Sequence, residues 1–237
     1  ECCKTFHRFK AMSEAINILI RNNVRVFGNG PKILMFAHGF GSDQNTWNSL
    51  IPYLENDFRL VLFDYVGAGK SDLSAYNDER YGTLAGYAED VIDVCKTLCL
   101  EQVVFIGHSV SGMVGLLAAK KEPSLFSKLV FIGPSPRYIN DEDYYGGMEE
   151  SDLKDLLQVM DNNYLGWSRS LAPAIVANED RPELGESLAE SFCTTNPEIA
   201  KKFARVIFYA DNRADLKSLN IPSLTLQAKN DVLTSER

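Results

Sequence analysis

Five short, largely apolar runs punctuate the chain, at residues 33–37, 60–63, 103–106, 129–132 and, after Pro222, 223–226. Strands buried on both faces of a parallel sheet read this way, without the in-out alternation of a half-exposed strand. Between them, residues 46–54, 83–98 and 110–120 carry apolar positions at helical spacing. Strands alternating with helices predict an α/β fold with a mostly parallel central sheet, flanking helices and right-handed crossovers. Two alternating runs, 16–20 and 24–27, flank Arg21-Asn22-Asn23 and predict an opening hairpin. The rhythm breaks over 136–218, where helical stretches at 148–160, 167–177, 184–192 and 197–209 follow one another without a strand. That is too long for a loop in a compact domain, and it is read as a helical cap inserted into the sheet. The core is then 12–135 together with 219–237.

At 237 residues and 45% hydrophobic, the chain can bury a sizeable core as one large domain with an insertion. A formal net charge of −8 excludes a basic footprint for nucleic acid or for an anionic membrane surface. No apolar stretch reaches the length of a membrane span, and the first residues lack the apolar core of a signal peptide, so a cytoplasmic address is expected. The five cysteines, Cys2, Cys3, Cys95, Cys99 and Cys193, have no metal-ligand spacing and read as reduced thiols. Cys95 and Cys99 lie one helical turn apart and are assigned to helix packing. No metal and no cofactor is expected. Met12-Ser13-Glu14 would make a natural start, and residues 1–11 are read as a non-native leader.

The chemistry concentrates at Gly107-His108-Ser109-Val110-Ser111-Gly112, between the 103–106 strand and the 110–120 helix. A serine on such a strand-to-helix turn is lifted above the sheet with backbone N–H groups aimed at the reacting oxygen, the arrangement of the G-x-S-x-G nucleophile elbow. Ser109 is the candidate nucleophile. Ser111 stands where the strict pattern wants glycine, and it is read as a small packing residue. Ala37-His38-Gly39-Phe40-Gly41 follows the 33–37 strand, where the loop supplies one N–H of an oxyanion hole. Phe40 and Val110 are the candidate donors. His38 is read as a structural histidine that fixes this loop. After the last strand, Asp231 is the candidate acid, able to orient a histidine and stabilise its imidazolium, with a solvated loop aspartate as the alternative. Val66-Gly67-Ala68-Gly69-Lys70-Ser71 imitates a phosphate loop, but Asp64 occupies the position of the first Walker glycine and has the wrong charge for a phosphate cradle.

HGFG, the 64–72 segment DYVGAGKSD, GHSVSG, the 133–141 segment GPSPRYIND and Tyr145-Gly146-Gly147, in that order, resemble one branch of the α/β-hydrolases. The chain is similar to the RsbQ-type regulators of sigma-B stress signalling and to their plant relatives, the karrikin and strigolactone receptors. The resemblance implies a four-helix cap over a mostly apolar pocket, and a serine hydrolase acting on a small hydrophobic ester- or lactone-like molecule. It implies a PAS-domain phosphatase as partner in energy-stress signalling. By motif matching it assigns Ser109 and Asp231 to catalysis, Phe40 and Val110 to the oxyanion hole, and Phe40 and Tyr138 to the substrate. From the residues alone, Tyr138 follows a strand and enters the cap, where a packing role fits equally well.

The chain has three histidines, His7, His38 and His108. In this fold the triad runs Ser, Asp, His along the chain, so the base should follow Asp231, yet no histidine stands between it and Arg237. The expectation is that the sequence is C-terminally incomplete, that it lacks a last strand and helix, and that the base lies beyond Arg237. Loss of a triad base costs on the order of 10⁶ in turnover, so the chain as written should be close to inactive. Two other readings stay open: a ligand-binding signalling module with incidental hydrolysis, and a pseudoenzyme.

Overall fold

A computed structural model describes residues 13–234. Residues 13–21 form helix α1, followed by β1 (Arg25–Phe27), β2 (Lys32–Ala37), a 3-10 turn (Gln44–Trp47), α2 (Ile51–Leu54) and β3 (Phe58–Leu62). Next come α3 (Asp78–Tyr81), α4 (Leu84–Thr97), β4 (Val103–His108), α5 (Val110–Lys121) and β5 (Phe126–Ile132). Helices α6 (Glu150–Asn162), α7 (Tyr164–Val176), α8 (Pro182–Thr194), α9 (Pro197–Phe208) and α10 (Arg213–Lys217) precede β6 (Ser223–Leu226).

The six strands form one sheet in the order β1-β3-β2-β4-β5-β6, parallel except for β1, which runs antiparallel to β3. Buried side chains lie on both faces. Met35, Val61, Phe63 and Phe105 belong to the larger core with Val91, Val94 and Leu116 from α4 and α5, while Leu34, Phe36, Leu60 and Leu62 pack with Trp47 and Ile51 on the other face. Apolar contact on both faces is the reason β2 to β5 read as continuous apolar runs. The same reading of 223–226 is corrected: β6 lies at the sheet edge beside β5 alone, and its four residues are exposed. β3 adjoins β2 and β5 adjoins β4, so the chain leaves the β2–β4 pair in opposite directions. Ligand crevices of open α/β sheets form at that point, beyond the carboxyl ends of the strands. Ala37 pairs with Gly107 there, which sets His38 beside His108 at the start of the two loops.

Three further local expectations need correction. The opening hairpin is absent: residues 16–20 lie within α1. Ala15, Ile18, Leu19 and Asn22 turn toward the protein, a helical spacing that overlaps the apparent alternation. Arg21-Asn22-Asn23 is the helix end, where Asn23 at φ 44° lets its N–H reach Ile20 O and the Val24 N–H reach Leu19 O, the paired bonds of a Schellman cap. The stretch 46–54 is two short pieces, with Pro52 in the first turn of α2. Cys99 is not part of helix packing, because α4 ends at Thr97 and Cys99 stands exposed at φ 52°, whereas Cys95 is buried with its Sγ 3.6 Å from Met35 Sδ. Cys2, Cys3, His7 and the proposed leader 1–11 lie outside the described residues.

Among the described residues no helix is long and apolar enough to cross a membrane. The glycine-rich loop after β3 closes around its own acid. The Asp64 carboxylate accepts from the N–H groups of Lys70 and Gln44 at 2.9 and 2.8 Å and from Asn23 Nδ2 at 2.7 Å. A β-carbon on Gly69 would fall 2.4 Å from Asp64 Oδ2, so the space a phosphate would need is filled by a side chain of the same sign.

Candidate active site

β4 passes into α5 through Ser109, which adopts φ 56° and ψ −124°. A non-glycine residue there is strained by about 1–3 kcal/mol, and neighbouring contacts hold it in place. Ser109 N–H donates to Ile132 O at 2.7 Å, and Ser109 O accepts from Gly112 N–H at 2.9 Å. Gly107 is required by the turn, since a β-carbon on it would fall 2.5 Å from the Ser111 carbonyl. Val110 is the first residue of α5, so its N–H has no acceptor within the helix.

The loop after β2 crosses directly over this turn. A β-carbon on Gly39 would meet His108 Nδ1 at 2.7 Å and Ser109 Cβ at 3.4 Å. Phe40, next in the loop, turns its ring against Phe192 of α8 at 5.4 Å, Phe203 of α9 at 5.9 Å and Trp167 of α7 at 6.3 Å between centroids. These three helices thereby close over the loop. The cavity left between His38, Phe40, Tyr65, Ile199 and Phe203 is about 10 Å³, on the scale of one water. A far larger cleft of about 930 Å³ lies between α7 and α8, lined by residues from Arg169 to Cys193 and away from Ser109.

Tyr138 is buried, with its ring edge-on to Phe208 at 5.2 Å. Burial raises its pKa, the nearby Ser109 side chain opposes the shift, and the negative charge of Asp231 adds to it. Asp231 is half-buried, and its Oδ1 accepts from the N–H groups of Leu233 and Thr234 at 2.8 and 3.0 Å. Its Oδ2 is 3.5 Å from the position of a β-carbon on Gly133. Ser109, Tyr138 and Asp231 therefore gather at the carboxyl ends of β4, β5 and β6.

The two histidines in the described residues lie at the start of the β2 and β4 loops. His38 is buried, and its Nε2 accepts from the Tyr65 N–H at 3.3 Å. That contact fixes the tautomer: Nδ1 carries the proton and donates to Gly39 O at 2.9 Å. Burial holds this imidazole below its ordinary pKa, against the opposing pull of Asp64. His108 is crowded by protein yet keeps an open edge to solvent. Desolvation lowers its pKa, His38 pushes the same way, and Asp231 pulls it back through space. Neither imidazole in the described residues makes a hydrogen bond to Ser109 or Asp231.

Ser109, Phe40, Val110, Tyr138 and Asp231 are thus brought to one place, and among the described residues no group of His, Cys, Asp or Glu side chains is arranged to hold a metal ion. Three contributors were not singled out by the sequence: Tyr65, whose hydroxyl is 2.9 Å from Ser111 Oγ, and the aromatic pair Trp167 and Phe192. Tyr65 stands within the 64–72 segment with nothing to mark its hydroxyl, and the other two are aromatics within amphipathic helices.

A family model described as alpha/beta hydrolase fold matches residues 32–235. The chain is 38% identical over 216 residues to strigolactone esterase D14 of Arabidopsis thaliana, covering 91% of this chain and 80% of that one. It is 37% identical over 211 residues to karrikin insensitive 2 receptor CA of Petunia hybrida, covering 89% and 78%. The solved structure of a hydrolase from Oleispira antarctica superposes with a TM-score of 0.90 at 41% identity, covering 94% of this chain and 82% of that one.

Proposed function

The chain belongs to the α/β-hydrolase family, and from that premise we propose that it is a serine hydrolase for a small apolar ester or lactone. The observation that carries this reading is the strained Ser109 turn beneath the Gly39–Phe40 loop. In the proposed reaction, Ser109 Oγ adds to the substrate carbonyl carbon and its proton passes to a general base. The Phe40 and Val110 N–H groups hold the oxyanion, each such donor contributing about 3 kcal/mol. The base returns the proton to the departing alkoxide, and water then cleaves the acyl-serine. Asp231 orients and stabilises the protonated base, while Phe40 and Tyr138 contact the substrate. Helices α6–α9, within 136–218, act as the cap.

A second reading, a ligand-binding module whose occupancy is reported to a partner, is supported by the receptor named among the relatives. For such a partner a PAS-domain phosphatase upstream of sigma-B, in the cytoplasm, is supported by the motif resemblance alone. Labelling by a fluorophosphonate and turnover of a p-nitrophenyl ester, each compared with Ser109→Ala, separate the two readings. Turnover and labelling that vanish in the variant support the hydrolase. No turnover by the parent, with equal affinity of parent and variant for an apolar ester, supports the binding module.

A further inference from the structure

Ser111 sits where the serine-turn pattern wants glycine, and its hydroxyl is fully buried and fully engaged. Ser111 Oγ donates to His38 O at 2.5 Å, and the Tyr65 hydroxyl lies 2.9 Å from the same oxygen. Ser111 has one proton, already used on His38, so Tyr65 is the donor in the second bond. Burial holds the Tyr65 phenol well above its ordinary pKa, which keeps that proton in place. The same Tyr65 offers its backbone N–H to His38 Nε2, and His38 Nδ1–H donates to Gly39 O. Gly39 O also accepts from the Ser42 N–H at 3.3 Å.

The last link determines direction. Gly39 C=O and Phe40 N–H belong to one planar trans peptide and point opposite ways. Anchoring the carbonyl toward the His38 ring and Ser42 therefore aims the Phe40 N–H away from them. We propose that Ser111 is a positioning residue: with Tyr65 it forms a buried two-hydroxyl latch that fastens the His38–Phe40 loop to the first turn of α5, so that the Phe40 donor and Ser109 are held as one body. The inference rests on the reading of Ser109 as nucleophile only for its kinetic consequence; the latch itself is a statement about the loop.

The test uses Ser111→Ala, Tyr65→Phe and the double variant in the same chain, with two readouts. The first is amide hydrogen exchange of residues 39–41, which does not depend on chemistry at Ser109. The second is the rate of Ser109 phosphonylation by a fluorophosphonate, set beside the affinity for an unreactive ether analogue of the ester. Ser111→Ala should speed exchange of the loop and slow phosphonylation about tenfold, with affinity for the ether changed less than twofold, because only the oxyanion contact is displaced. Tyr65→Phe should have a smaller effect, about threefold, and should add nothing in the Ser111→Ala background, as expected for two members of one chain of bonds. Unchanged loop exchange in Ser111→Ala overturns the latch, and so do effects of the two substitutions that multiply independently. Absence of phosphonylation in the parent chain would count against the hydrolase reading instead, and the exchange data would still decide this proposal.

Discussion

A histidine with both ring nitrogens committed is a poor base but a sensitive reporter of pH. His38 must stay neutral to accept from Tyr65 N–H, and burial lowers its pKa from 6.5; His108 is lowered too. The sign follows from linkage. Above pH 6.5 both states are neutral at these positions; below it the unfolded chain takes up protons that the folded chain refuses, so stability falls as pH falls from 6.5 toward the folded pKa values. The slope is bounded by about 1.4 kcal/mol per pH unit for each proton. Urea unfolding between pH 7 and pH 5 should show this decline in the parent and a shallower one in His38→Gln; parallel curves would refute the assignment. At this scale much of the site was legible. Ser109 and Val110 follow from a strand, a turn and a helix contiguous in sequence, and Phe40 from a glycine-flanked loop directly after a strand. The partnership of Tyr65, Ser111 and His38 was not, since it joins residues 46 and 73 positions apart through hydroxyls that any loop or helix can carry.

Between elements, one buried cluster of charges joins pieces that the hydrophobic pattern leaves separate. The Asp90 carboxylate on α4 is fully buried and meets Arg80 of α3 at 2.7 Å and Arg21 of α1 at 3.1 Å, and it also accepts from Asn22 Nδ2 and the Tyr81 hydroxyl. Asp93, one turn on, binds the same two guanidinium groups but is partly exposed. Removing one member of a buried pair strands the others, whereas exposed pairs contribute little. Asp90→Ala should therefore destabilise the protein by about 3 kcal/mol and Asp93→Ala by less than about 1 kcal/mol in urea unfolding. Equal effects would show that burial is not what distinguishes them. This cluster also explains why the α1 segment was misread. Its apolar positions fit two periods, and the helix is held in part by polar contacts from Arg21 and Asn22, which a hydrophobic pattern does not record. Strands β2 to β5 were legible for the converse reason, since two covered faces leave one signal, whereas β6 shows the same apolar run with its residues exposed at the sheet edge.

Across the whole molecule, the sheet places Ser109, the proposed nucleophile, and the helices between β5 and β6 pack over the loop beside it. The strand order opens a crevice between β2 and β4, and Phe40 plugs it by packing its ring among Phe192, Phe203 and Trp167. A cavity of about 10 Å³ at that plug admits no ester, so an approach to Ser109 from the Phe40 side requires α7, α8 or α9 to shift. Phe192 is the tightest part of the seal: it is 1% exposed, and a β-carbon on Gly41 would fall 2.0 Å from its ring. Phe192→Ala should remove the seal while keeping the backbone carbonyl that accepts from the Tyr164 hydroxyl. The truncation should cost about 3–5 kcal/mol of stability, as for other buried aromatics. If the helices gate the site, the variant should also change selectivity. Phosphonylation by a bulky fluorophosphonate should rise severalfold relative to a small one, since the bulky probe needs the larger displacement of the helices. A ratio equal to the parent's, with the stability loss intact, would mean that the seal is structural and that substrates arrive by another path.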